Sequence, residues 1–339
     1  MRTAALLIAL VLVPVSVAKW TPLASGVTAR LRGVSAVNDR VAWASGANGT
    51  IVRTANGGAT WRRLLIPGSE KLDFRDIDAV DEKTAYVLSI GPGDASRIYK
   101  TTDAGATWRQ QFVNRDPKAF FDAMSFWDAT RGIAVSDSVD GAFVVLTTSD
   151  GGRTWTRVPA SAFPPALPNE GFFAASGTNV AVVRPNHVWI ATGAASEARV
   201  LHSSDGGRTW SAAKTPLASG PSAGIFSIAF ADADHGLVVG GDYKAEASAI
   251  DNAAITSDGG KSWTRIEGLS GFRSVVRYLS RDGRSAIAIG PTGSDYSSDG
   301  GRTWKPLGGP GFHTFSLAPG WRVGFAAGER GSIAKLTID

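Results

Sequence analysis

The chain has 339 residues, 43% hydrophobic and 19% charged, with 40 glycines, 11 tryptophans and no cysteine. That composition excludes a disordered or collagen-like polymer, and it leaves packing rather than disulfides as the source of stability. A formal charge of +5 is too mild to imply a nucleic-acid partner.

The first element is "MRTAALLIALVLVPVSVA", residues 1–18. One basic residue, Arg2, precedes an apolar run from Ala4 to Val13, and Ser16 and Ala18 occupy the small-residue cleavage positions. This pattern predicts a secretory signal peptide, so the mature chain is expected over 19–339, periplasmic or extracellular. The apolar run is too short for a comfortable span. No later stretch approaches the ~20 apolar residues a span requires, so no membrane span is expected after cleavage.

Beyond residue 18 an octet recurs: "TANGGATW" ending at Trp61, "TTDAGATW" at Trp108, "TSDGGRTW" at Trp155, "SSDGGRTW" at Trp210, "TSDGGKSW" at Trp263 and "SSDGGRTW" at Trp304. Each copy closes a longer unit. In the second unit "FRDIDAV", "KTAYVLSI", "RIYKT" and "WRQQFV" are alternating or β-branched runs separated by turn residues, which predicts four short strands. Four strands per unit in tandem predict an all-β β-propeller. After Trp304 the runs "HTFSLAP", "RVGFAAG" and "GSIAKLTI" supply three strands without a fourth. "KWTPL" at the other end resembles the fourth strands, so seven blades are expected, with Lys19–Leu23 completing the last and Trp20 replacing its octet tryptophan.

The octet Ser/Thr-x-Asp-x-Gly-x-Thr-Trp resembles the Asp-box, or bacterial neuraminidase repeat. With "GLVVGG" (236–241) and "GTIVRTANGGATW" (49–61), the unit also resembles the photosystem II assembly and stability factor family, over essentially all of 19–339. The resemblance implies a propeller whose octet hairpins sit on the outer, bottom face. It also implies a protein partner held through an arginine-rich patch. Independently of the resemblance, a monomer without cofactor or metal is expected.

The octet residues Asn56, Trp61, Asp103, Trp108, Asp150, Trp155, Asp205, Trp210, Asp258, Trp263, Asp299 and Trp304 are read as structural. Glycines supply positive φ, the acid caps its own turn, and the indole packs the hairpin down. Six copies do not suit a single active site, and Asn56 keeps an acceptor but could not replace a catalytic acid.

Function is sought where the innermost strands begin. The aligned starts are "LRGV" (31–34), "FRDI" (74–77), "FDAM" (121–124), "FFAA" (172–175), "IFSI" (225–228), "FRSV" (272–275) and "FHTF" (312–315). Their second positions predict a basic arc of Arg273, His313, Arg32 and Arg75, an aromatic arc of Phe173 and Phe226, and Asp122 between them. Arginine suits bidentate recognition of acidic groups, and aromatics supply contact area. Tyr243 and Lys244, in the loop 240–248, are the expected loop contacts; the loops 91–97, 136–141 and 192–199 are further candidates. A protein or acidic ligand at the funnel mouth follows.

The competing expectation is an exported, sialidase-like glycoside hydrolase using funnel carboxylates, with Asp76, Asp122, Glu170 and Asp242 as candidates. Against it, the "Phe/Tyr-Arg-Ile-Pro" motif of sialidases is missing, and "LLIP" (64–67) lacks the arginine. His187, His202, His235 and His313 show no metal-ligand spacing. No nucleotide motif and no "G-x-S-x-G" string occur.

Overall fold

Short β-branched and aromatic runs punctuated by glycine turns can bury their apolar faces only by stacking sheet on sheet. In the computed structural model, which describes residues 18–338, they form seven four-stranded antiparallel sheets arranged as a propeller. Blade one is Leu31–Ala36, Ala42–Gly46, Thr50–Thr54 and Arg62–Leu64. Blades two to six follow over 73–113, 121–157, 180–214, 223–265 and 275–306. Blade seven orders Lys19–Leu23, Ile333–Thr337, Val323–Ala327 and Thr314–Leu317, so the N-terminal strand closes the ring as expected. Trp20 pairs with Leu336 and packs on Phe312, ring centroids 5.1 Å apart. The expected signal peptide lies outside the described residues except for Ala18. No helix among the described residues is long and apolar enough to cross a membrane.

The octet turns are built alike. In the third, Thr148 Oγ1 donates to Asp150 Oδ1 (2.9 Å) and accepts from the Gly152 N–H (2.9 Å). Asp150 also accepts from the Thr154 N–H (3.0 Å) and Thr154 Oγ1 (2.7 Å). Gly151 and Gly152 have φ of 70° and 78°, where a side chain would be strained. Asn56 reproduces the turn with neutral groups: Oδ1 accepts from the Thr60 N–H (2.9 Å), and Nδ2 donates to Thr60 Oγ1 (2.9 Å).

The turn also clips its blade to the preceding one. Trp61 meets Phe325 of blade seven edge-on at 6.0 Å, and Trp108 meets Trp43 of blade one at 6.1 Å. Second-strand residues reach across in turn: Tyr86 Oη donates to Gly151 O (2.8 Å), and Trp189 Nε1 to Gly259 O (2.8 Å).

These turns carry an acid sensitivity. The Thr107 hydroxyl and N–H hold the Asp103 carboxyl down at about 2, and the Thr154 N–H and hydroxyl do the same for Asp150. A depressed folded-state pKa gives stability that is present above the unfolded value of about 4 and lost as pH falls toward 2. Thermal melts are expected to drop through that window. Asp150→Asn is expected to keep its melting temperature at pH 7 and show a smaller acid loss than wild type.

Candidate functional site

The predicted ring positions are set by backbone irregularities. The ladder of first and second strands slips by one residue between Leu31 and Gly33, Phe74 and Asp76, Phe121 and Ala123, and Ile225 and Ser227. The skipped residues are Arg32, Arg75, Asp122 and Phe226. A bulge frees its extra residue from the ladder and re-aims it, here toward the funnel. With Phe173, Tyr243, Phe272, Ser274 and His313 these residues line an open cavity of about 410 Å³.

Blade six departs from the expected alignment. Val276 pairs with Ala288 and Arg277 with Ile287, as Ile77 pairs with Val87 and Asp78 with Tyr86 in blade two. Ser274 therefore occupies the place of Arg75, and Arg273 the place of the buried Phe74. A one-residue slip reverses which way a side chain points. Arg273 is 1% exposed and is sealed off from the funnel, donating from Nε to Asp295 Oδ2 (2.7 Å) and from Nη1 to Phe272 O (2.9 Å). The expected basic arc is corrected accordingly.

Blade four departs too. Gly171 bridges Gly193 and Val180 pairs with Ile190, whereas the equivalent pairs in blade two are Asp73 with Ile90 and Ile77 with Val87. Eight residues separate the two pairs in blade four and three in blade two, so five (174–178) are inserted after Phe173. The innermost strand begins at Val180 instead of Phe172. The insertion crosses the channel. Ser176 Oγ donates to Ser274 O (2.8 Å), Thr314 Oγ1 to Ser176 O (3.0 Å) and Thr178 Oγ1 to Ser227 Oγ (2.7 Å). Its carbonyls at Ala174 and Ala175 accept from Arg75 Nη1 (2.8 Å) and Arg32 Nη1 (3.4 Å). The two arginines thus clamp a plug that floors the cavity.

Electrostatics divide the mouth. Arg75 Nε also donates to Asp73 Oδ2 (2.9 Å). Burial, then Arg75 and Arg30, push Arg32 down to about 10, so it stays charged at neutral pH. His313, 6% exposed, lies 2.6 Å from Glu329 through Nε2. Burial and then Arg32 push it down to about 4, so it is neutral at pH 7 and contributes no charge to the arc. Opposite, Phe173 stacks on Phe226 with centroids 4.0 Å apart, and Tyr243 meets both edge-on at 6.2 and 6.1 Å. Lys244 is exposed and does not line the cavity.

Asp137, which the sequence did not single out, joins Asp122 in the lining. Burial and Asp137 hold the Asp122 carboxyl well above the usual range, and burial pushes Asp137 up to about 6. The other acidic candidates lie apart from this pair. Glu170 is buried in an ion pair with Arg199, Asp76 is buried and accepts from the Met124 N–H (2.7 Å), and Asp242 caps its own turn at the Lys244 N–H (2.8 Å). His187 Nδ1 and His202 Nε2 are 3.2 Å apart, their rings stacked on Trp189. Among the described residues no cluster of three or more His, Cys, Asp or Glu is placed to hold a metal.

Fold and mouth define a seven-bladed propeller with a plugged channel and a funnel that is basic on one side and aromatic on the other. Among solved structures the chain is similar to YCF48 bound to D1 peptide, with a TM-score of 0.68 and 16% identity over 96% of this chain and 99% of that one. It is also similar to YCF48 from Cyanidioschyzon merolae, with a TM-score of 0.68 and 15% identity over 94% and 98%. At such identities the likeness establishes the fold. No family profile and no curated protein matches the sequence.

Proposed function

We propose that this chain is an exported, non-catalytic propeller of the Asp-box type that binds a polypeptide partner at the funnel mouth, as an assembly or stability factor. The observation that carries the reading is one open cavity with two charged arginines facing a Phe173–Phe226–Tyr243 wall. Guanidinium groups recognise acidic side chains or a terminal carboxylate, and aromatic walls supply anchoring area. That a YCF48 of similar fold has been solved with D1 peptide supports a peptide as the ligand class. Export rests on the pattern of residues 1–18.

The test is capture from the native envelope, followed by titration of the partner so identified. Arg32→Ala/Arg75→Ala is expected to weaken binding roughly tenfold to a hundredfold, the value of one or two hydrogen bonds to charged groups. Phe226→Ala is expected to weaken it as well. An unchanged set of captured proteins with the double variant would reject the reading.

A second reading, glycoside hydrolysis, is favoured by one observation. Asp122 and Asp137 share the cavity, and burial raises both carboxyls above the usual range, as a glycosidase acid pair requires of at least one member. Turnover of aryl glycosides that is lost in Asp122→Asn would support it, and no turnover by wild type would end it.

A further inference from the structure

The channel's other end holds a second cavity of about 300 Å³, lined by Val182, Phe230, Arg277, Leu317, Pro319 and Trp321 among others. Its cation is set by register. One residue per blade occupies the position of Asp78. Ser35, Asp78 and Ser316 there accept the N–H groups of Ala79, Phe126 and Ala36 in the following blades, at 3.0, 2.9 and 3.0 Å. Blade six places Arg277 at this position, and a guanidinium has no lone pair with which to accept a neighbour's N–H. Its side chain lines the cavity and makes no side-chain hydrogen bond or ion pair among the described residues.

The acids nearest in charge make no ion pair with it. Asp76 and Asp78 act on Arg277 only through space, their carboxyls being held by the Met124 and Phe126 N–H groups. Burial raises Asp78 to about 6 and holds Asp76 well above the ordinary range. The walls join apolar side chains, among them Val182, Phe230 and Leu317, to the hydroxyl residues Ser125, Tyr278 and Ser316, and Trp321 at the rim is 38% exposed. A guanidinium desolvated by burial and left without an ion pair attracts an anion more strongly than one in water.

We propose that this lower cavity is a binding site for a small apolar carboxylate, its acid group on Arg277 and its hydrocarbon part against Phe230, Leu317 and Trp321. The cavity volume limits the ligand to a few carbons or one ring. The site is independent of the funnel-mouth reading.

The probe is 3-phenylpropanoate, followed by calorimetry and by the intrinsic fluorescence change that is lost in Trp321→Phe, with 3-phenylpropanamide as the neutral isostere and phenethylamine as the cation. Saturable binding of the acid is expected, with the amide and the amine at least about tenfold weaker. Arg277→Gln is expected to cost about tenfold to a hundredfold and Arg277→Lys less, because it keeps the charge but not the fork. Should Arg277→Gln fold poorly, Trp321→Ala read by calorimetry tests the same pocket through its wall. Tyr243→Ala, at the mouth and away from the plug, should leave probe binding unchanged while weakening capture at the mouth. Equal affinity for acid and amide, no saturable binding of the acid, or an unaltered affinity in Arg277→Gln would each overturn the proposal.

Discussion

Replacing Arg273 by alanine is expected to destabilise the protein by about 3–5 kcal/mol, the usual cost of removing one partner from a buried ion pair. The reason lies in what is left behind. The Asp295 side chain is 0% exposed, and Arg273 meets its Oδ2 through both Nε (2.7 Å) and Nη2 (2.6 Å). Ser270 adds an Oγ hydrogen bond to Oδ1 (2.6 Å) and a longer N–H contact to Oδ2 (3.2 Å). Without the guanidinium, a carboxylate is buried with two neutral donors and no counter-charge, and the Phe272 carbonyl loses its donor as well. Urea denaturation should show the loss in the transition midpoint. The double variant Arg273→Met/Asp295→Leu should recover most of it, because an apolar pair of similar volume removes both desolvation penalties. A single-variant loss below about 1 kcal/mol would mean that water reaches the pair and that Arg273 belongs to the surface after all.

That residue marks where the sequence was legible and where it was not. The octets carry the fold: glycines, acid and indole recur because the same turn is needed in every blade, so blade number and closure by Lys19–Leu23 could be read directly. The ring at the mouth was readable in six blades: a bulge follows Leu31, Phe74, Phe121 and Ile225, the insertion comes directly after Phe173, and His313 follows Phe312 into the lining. Blade six breaks the rule silently. Phe272 mimics the marker residue, yet the ladder starts one residue later, and nothing local in "FRSV" reveals it. The spacing of 55 from Trp155 to Trp210, the widest in the chain, was the available signal for the plug at 174–178. Its role could not be read because Ala, Ser, Gly and Thr form an unremarkable loop until five other blades supply its hydrogen bonds. Asp137 was missed for a related reason: a carboxyl is raised by burial and a neighbouring acid, and both come from tertiary packing.

Trp189→Ala is expected to cost about 3–5 kcal/mol, as large aromatic truncations in cores do, and to damage two blades at once. The indole is fully buried, stacks on Phe230 of blade five with centroids 3.6 Å apart and lies 4.7 Å from His202 of its own blade. Its Nε1 holds Gly259 O of the next octet turn, and Gly260 lies so close that an added Cβ would sit 3.2 Å from that nitrogen. Truncation therefore leaves a cavity between blades four and five and frees a turn carbonyl. Trp189→Phe should separate these effects, keeping most of the packing and losing the hydrogen bond, worth about 1 kcal/mol. Hydrogen exchange in Trp189→Ala should rise first around 256–263 of blade five, although the substitution is in blade four. If exchange rose only within blade four, the octet turn would be a local hairpin cap and not an inter-blade clip. Tyr86, at the equivalent place in blade two, holds Gly151 O in the same way, so the result should transfer: Tyr86→Phe is expected to loosen the 148–155 turn by the same single hydrogen bond.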